Sequence, residues 1–334
     1  MNKKMKLSIC VVAYNEEDFL PNLIDDIKKQ KYPHDLTEVV LVDSMSNDGT
    51  KRIMKSFQRN NDFYSVQVLD NPGKIQAAGW NVAIKNATGD VISRIDAHTI
   101  LPADFSALVM KNIEAGEDVV GGIRPCVIEN DDDWGRILLQ VENSLFGSSV
   151  NASRRSKEKQ YVKTMFHASY RKEVFEKVGL FNENLLRTED NEMHYRIRQA
   201  GYKLCYDPEI VSYQYARSSL KKTIKQKYGN GYWIGITLKE CPGCISPYHL
   251  VPAAFVGGIV GTSVLAVCKK TGLAKLMWGA YGAFAIGNTI ISAKNEKHNK
   301  FLPAMPLLFL GLHTSYGVGT IIGGLQAILN SKEC

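Results

Sequence analysis

The chain has 334 residues, 45% of them hydrophobic and 22% charged, with a formal net charge of +7. From Ile245 to Ser331 the charged residues are six Lys and one Glu, so five of the seven net positive charges flank apolar stretches. That distribution excludes a basic nucleic-acid groove, and seven scattered cysteines exclude a disulfide framework.

In chain order, the basic Met1–Lys6 end leads into a strand-like run, not into the apolar core and cleavage site of a signal peptide. The large amino-terminal part is therefore expected to face the cytoplasm. Leu7–Ala13 is rich in β-formers, and Glu16–Gln30 carries Phe19, Leu20, Leu23, Ile24 and Ile27 at helical spacing. Val39–Val42 reads as a second buried strand. Tyr64–Leu69, Ile75–Ala87, Val91–Ile95, Ala103–Ile113 and Val119–Gly122 continue the alternation of strand and helix. Such alternation predicts a mostly parallel sheet covered by helices. No Gly-x-Gly-x-x-Gly turn and no Walker loop is present, so dinucleotide-binding and P-loop readings lose their main support.

Polar groups follow each strand. After the first come Tyr14-Asn15-Glu16-Glu17. After the second comes Asp43, an acid at a strand tip, leading into Asp48-Gly49-Thr50 and a helix start. Asn71-Pro72-Gly73-Lys74 turns into the next helix, where Lys74 could meet phosphate charge. Asp96 and His98 follow the strand Val91–Ile95, at the sheet end where open α/β folds bind ligands. A carboxylate and an imidazole one residue apart can share a divalent cation. Glu189-Asp190 heads another helix, its acids at the positive end of the dipole.

Beyond Tyr215 the character changes. Ser218–Lys239 interleaves Leu220, Ile224, Tyr228, Trp233 and Ile236 with Lys, as a basic amphipathic helix at a lipid surface does. Trp134–Phe146 is a second, weaker candidate of the same kind. Cys241-Pro242-Gly243-Cys244 has metal or redox spacing without a second pair, and reads as a turn at the membrane edge. Ile245–Cys268, Leu276–Ala293 and Phe301–Ser331 hold no Asp, Glu, Lys or Arg, and predict about three membrane passes.

Over Leu7–Arg217 these residues resemble the family 2 glycosyltransferases, inverting enzymes of the GT-A type that use nucleotide-diphosphate sugars. The resemblance rests on Val11–Glu17, Val42-Asp43-Ser44, Asp48-Gly49-Thr50, Asp96-Ala97-His98, Gly179–Glu183 and Thr188-Glu189-Asp190. Arg94–His98, the three spans and the Gly-rich turn Tyr228–Gly231 look most like the succinoglycan-biosynthesis branch. The resemblance implies a Rossmann-like GT-A domain over 1–217, a basic interfacial helix and linker over 218–244, and a transmembrane region over 245–334.

It further implies that Ala13, Tyr14, Glu16, Asp43, Lys74, Arg94 and Asp96 bind the nucleotide sugar, probed best as a UDP-sugar. Asp96 and His98 would hold Mn²⁺ or Mg²⁺, the imidazole favouring Mn²⁺. Asp190 would be the general base, with Glu189 beside it. Gln214 stands where many relatives have His, and Asp43-Ser44 has one acid fewer than the usual motif. The implied reaction extends a polyprenyl-diphosphate-linked glycan at the cell membrane in surface-polysaccharide biosynthesis. The alternatives are a polyprenyl-phosphate monosaccharide synthase and, in another class, a non-catalytic sensor of nucleotide sugars.

Overall fold

The computed structural model describes residues 4–129, 131–147, 156–216, 219–294 and 298–330. The expected boundary at 217/218, residues 295–297 between the second and third expected passes, and the Ser331 end of the last span lie outside them. The elements in chain order are β1 (Leu7–Ala13), α1 (Leu20–Lys28), β2 (Thr37–Asp43), α2 (Thr50–Arg59), β3 (Ser65–Asp70), α3 (Gln76–Asn86), β4 (Val91–Asp96), β5 (Thr99–Ile100), α4 (Phe105–Glu114), β6 (Val119–Ile123) and β7 (Cys126–Val127). There follow α5 (Asp133–Asn143), β8 (Gln160–Val162), β9 (Ser169–Arg171), α6 (Lys172–Val178), α7 (Glu189–Gln199), β10 (Leu204–Val211), β11 (Tyr213–Tyr215), α8 (Leu220–Glu240), α9 (Val251–Val267), α10 (Gly272–Ala293) and α11 (Met305–Leu329). They form two compact units: Met1–Pro125 with Ala152–Tyr215, and Cys126–Asn151 with Ala216–Cys334.

The first unit is built on an eight-stranded sheet in the order β3-β2-β1-β4-β9-β6-β10-β8. Strands β1, β2, β3 and β4 pair in parallel, with Val12 opposite Asp96 and Ala13 opposite Asp43. The chain runs outward from β1 to β3 and returns to β4 on the other side of β1. Order therefore reverses between β1 and β4, and the carboxyl ends of these strands are where open α/β sheets bind ligands. β9 is antiparallel to both β4 and β6, which makes the sheet mixed. The sequence reading missed β8 and β9 because three-residue strands carry too little periodicity to register.

Side chains alternate between two cores. Leu7, Ile9 and Val11 of β1 join Leu23, Ile27, Met54 and Val109 on one face, while Cys10, Val40 and Val42 join Trp80, Ala83, Phe175 and Met193 on the other. α3 lies unusually close to the sheet: a Cβ at Gly79 would come within 2.6 Å of Val12. Glycine there lets the helix settle on β1.

In the second unit α8 packs against α11 through glycines on both helices. A Cβ on Gly231 or Gly235 would overlap the α11 backbone at Tyr316 or Thr320, and one on Gly319 or Gly323 would overlap α8 at Tyr228 or Tyr232. The stretch Tyr228–Gly231, expected as a Gly-rich turn, is therefore continuous helix. Close backbone packing offsets the cost of glycine in a helix interior. Lys227, one of the Lys expected on a basic face toward lipid headgroups, is buried and paired to Glu142 of α5 at 2.9 Å.

Ile137, Leu138 and Val141 of α5 share an apolar cluster with Met305, Leu308, Phe309 and Leu312 of α11. Pro247–Val267 and Leu302–Leu329 are long and apolar enough to cross a membrane, and the first has no buried residue in its span. α10 covers the expected middle pass with 22 residues but is not among these apolar helices.

Candidate active site

The loops after β1 and β2 hold each other. Asn15 adopts a left-handed backbone (φ 54°), which Asn tolerates better than most residues. Its N–H donates to Ser46 Oγ at 3.0 Å, and its Oδ1 accepts from the Asn47 N–H at 3.0 Å. The Glu16 N–H donates to Thr50 Oγ1, and Glu17 Oε2 accepts from the Gly49 N–H. Ala13 and Asp43 are buried at the strand ends, while Tyr14 is exposed. Asp43 Oδ1 accepts from the Ser46 N–H at 3.1 Å, an Asx-type turn that fixes the carboxylate.

After β3, Asn71 Nδ2 bridges Ser44 Oγ and the Ile75 carbonyl, both at 2.9 Å. Its buried Oδ1 has no hydrogen-bond partner among the described residues. Lys74 follows in a left-handed conformation (φ 59°), exposed to solvent. Three successive strand-end loops thus carry a non-glycine residue at positive φ: Asn15, Met45 and Lys74. Such strain clusters at binding sites.

Asp96 ends β4. Its Oδ1 accepts from Gln76 Nε2 at 3.1 Å, and Oδ2 lies 3.2 Å from His167 Nε2 and 3.8 Å from Arg124 Nη1. Burial pushes this carboxyl up, but the hydrogen bond and charge of His167, with His98 and Arg124, hold it well below the ordinary carboxylate range. His98 Nδ1 is 3.1 Å from Glu16 Oε1, and its Nε2 is 3.1 Å from Gln214 Nε2. The tautomer protonated on Nδ1 satisfies both contacts: the ring donates to Glu16 and accepts from the Gln214 amide.

A divalent cation is the group this fold family implies at Asp96 and His98, and the donor set fits it. A carboxylate on one imidazole nitrogen is the arrangement that orients metal-ligating histidines, and the Nε2 lone pair, which here accepts from Gln214, is the one a cation would take over. Among the described residues no three His, Cys, Asp or Glu side chains cluster as a metal site.

At the head of α7, Glu189 is buried with Oε1 3.9 Å from Arg94 Nη2. Its Oε2 has no hydrogen-bond partner among the described residues. Asp190 Oδ1 accepts from the Asn191 N–H at 2.8 Å. Burial and repulsion by Asp190 raise the Glu189 carboxyl, against the pull of Arg94. Burial raises Asp190 too, again against Arg94. A carboxylate with raised pKa is a better proton acceptor than an ordinary one.

Arg94 itself is buried. Its guanidinium lies 4.7 Å from the Trp80 ring and 4.4 Å from the Phe181 ring.

The structure thus joins Glu16, Asp96, His98 and Gln214 at one end of the sheet, and ties Glu189 to Arg94. It also brings in residues that sequence reasoning missed: Gln76, Arg124 and His167, all on Asp96, and Tyr170, whose hydroxyl meets His194 Nε2 at 2.8 Å. His167 is buried at φ 44° and also bonds Ser212 Oγ at 2.8 Å. No sequence motif surrounds it, and only its backbone conformation and partners mark it.

The family model for Glycosyl transferase family 2 matches residues 8–179. That range includes the Asp96–His98 segment and ends before Glu189-Asp190. A dolichyl N-acetyl-alpha-D-glucosaminyl phosphate 3-beta-D-2,3-diacetamido-2,3-dideoxy-beta-D-glucuronosyltransferase of Methanococcus voltae is 26% identical over 75% of this chain and 78% of its own. The succinoglycan biosynthesis protein ExoA of Rhizobium meliloti is 26% identical over 93% of this chain and 92% of its own. Among solved structures, the mannosyltransferase PcManGT of Pyrobaculum calidifontis, in complex with GDP-Man and Mn²⁺, aligns with TM-score 0.60 at 17% identity over 97% of this chain and 88% of its own. That likeness carries the GT-A fold.

Proposed function

We infer the function of this chain from its family: it belongs to glycosyl transferase family 2 and is a glycosyltransferase. We propose that it is membrane-anchored and inverting, and moves a sugar from a nucleotide-diphosphate sugar, UDP-linked, to a polyprenyl-diphosphate-linked glycan in surface-polysaccharide biosynthesis. The observation that carries this reading is the joining of two acid sites within one unit. Asp96 closes β4 beside His98 and Glu16, and Arg94 of the same strand reaches Glu189 next to Asp190.

Asp43, Tyr14 and Ala13 line the nucleotide end of the site, and Lys74 offers charge to the phosphates. The acceptor hydroxyl attacks the anomeric carbon in line, the bond to diphosphate breaks, configuration inverts, and the hydroxyl proton passes to Asp190. A cation held by Asp96 and His98 would supply charge to the departing diphosphate.

The lipid acceptor draws support from the dolichyl-phosphate sugar in the name of the Methanococcus relative. Membrane anchorage draws it from the two apolar helices and from exposed Val260, Val264, Leu307 and Ile321.

The test reconstitutes the full chain in liposomes with polyprenyl-phosphate and polyprenyl-diphosphate-sugar acceptors, and offers UDP- and GDP-sugars with Mn²⁺ or Mg²⁺. Extension of the diphosphate-linked sugar with an inverted linkage is the expected product. Transfer to bare polyprenyl phosphate would select the synthase alternative. Nucleotide-sugar binding with no turnover on either lipid would select the sensor.

A further inference from the structure

Arg94 carries charge where charge is costly. It sits inside β4, two residues before Asp96, and its guanidinium is held between the Trp80 and Phe181 rings. The rings attract the cation without neutralising it. The nearest anion is Glu189, and 3.9 Å is too long for a hydrogen bond. Arg94 Nε and Glu189 Oε2 both lack a hydrogen-bond partner among the described residues. The contact is therefore Coulombic, and it acts on two neighbouring carboxylates.

We propose that Arg94 is the positioning residue of the acid pair: clamped between Trp80 and Phe181, its guanidinium orients Glu189 and keeps Asp190 ionised for the acceptor's proton. This rests on the transfer reading above, and it moves Arg94 from the donor pocket, where the sequence places it, to the base. The groups facing the pair are Arg94 and Asp96 of β4, Arg124 after β6 and Tyr170 of β9, whose hydroxyl meets His194 of α7. Burial pushes the Tyr170 hydroxyl up to about 12 and the His194 ring down to about 3, so both are neutral. Arg94 is the leading cation opposing the upward shift of each acid.

The test compares Arg94→Met, which keeps the stem and loses the charge, with Arg94→Lys, which keeps the charge, in the full chain. Arg94→Met should lower kcat roughly 10- to 100-fold, part of what a general base supplies, with KM for the nucleotide sugar within about threefold. The acid limb of its pH profile should move up, while Arg94→Lys keeps the limb near the wild-type position. Without substrate, the Tm deficit of Arg94→Met should deepen from about pH 8 upward, because burial and Asp190 already hold the wild-type Glu189 carboxyl at about 8 and loss of the cation raises it further. Carboxyls whose pKa is raised by folding ionise readily in the unfolded chain and resist doing so in the fold, so stability falls as pH rises. Adding Glu189→Gln should remove most of that pH dependence.

Weaker UDP binding with kcat intact would return Arg94 to the donor pocket. A pH-independent Tm loss with an unmoved limb would make it a packing residue, and either result overturns the proposal. Arg94→Gln carries the same comparisons where the Met variant does not fold. If wild-type protein transfers no sugar, the transfer reading fails, and the unfolding series still decides whether Arg94 acts on the acids.

Discussion

In the sheet unit, polar side chains bond across long stretches of sequence: Ser8 to Glu38, Asn81 to Phe181 and Glu183, and His167 to Asp96 and Ser212. In the helical unit many of them turn back on their own helix. Thr262 donates to the Gly258 carbonyl, Ser263 to Ile259, Thr289 to Ala285 and Thr314 to Leu310. The first pattern brings distant groups together and leaves a few buried atoms, such as Glu189 Oε2, without a hydrogen-bond partner among the described residues. The second suits helices that meet no water, where a hydroxyl must find its partner locally. α9 buries none of its residues within the chain, while β1, β2 and β4 bury nearly all of theirs.

The largest expected effect breaks the sheet unit at its chemistry. Asp190→Asn should cut single-turnover transfer by about 10²- to 10⁴-fold with donor affinity little changed, because size is kept and the proton acceptor lost. Normal turnover would move the base to Glu189.

Next comes the largely buried ion pair between α8 and α5. Lys227→Met leaves Glu142 without its 2.9 Å partner in a mostly buried place, and should cost about 3–5 kcal/mol in detergent unfolding. A Lys227→Met, Glu142→Leu double variant should recover much of the loss. No recovery would mean that packing, and not charge, dominates there.

The helix crossing separates filled from open glycines. Gly319→Leu must push into the Tyr228 backbone and should cost roughly 1–3 kcal/mol or more, while Gly257 has nothing within 4 Å and its replacement should be near neutral. Equal Tm losses for the two would refute the packing difference.

The smallest effect sharpens the metal reading. Glu16→Gln removes the carboxylate that orients His98, and should weaken Mn²⁺-dependent UDP binding by about 10- to 100-fold in calorimetry. Unchanged affinity would leave Asp96 as the sole ligand worth testing.

Much of the site was legible because strand tips carry acids and turns in short, contiguous motifs: Asp43, Asp96, His98 and the Glu189-Asp190 helix start all stand where the spacing put them. Lys74 was legible as a loop residue, although its left-handed backbone was not. The partners of Asp96 were not legible. Gln76, Arg124 and His167 come from α3, from the loop after β6 and from the segment before β9, and only the sheet brings them together.

Local patterning alone determined the βαβ rhythm, the helix starts and the apolar tail, since hydrophobic period and turn chemistry act over a few residues. Tertiary structure decided that the sheet is mixed through β9, that Arg94 faces the acids between two rings, and that α8 buries Lys227 and its glycines against its neighbours. Each of these depends on which distant surface removes a group from water, and burial of that kind sets both the charge state of a carboxyl and the tolerance for glycine in a helix.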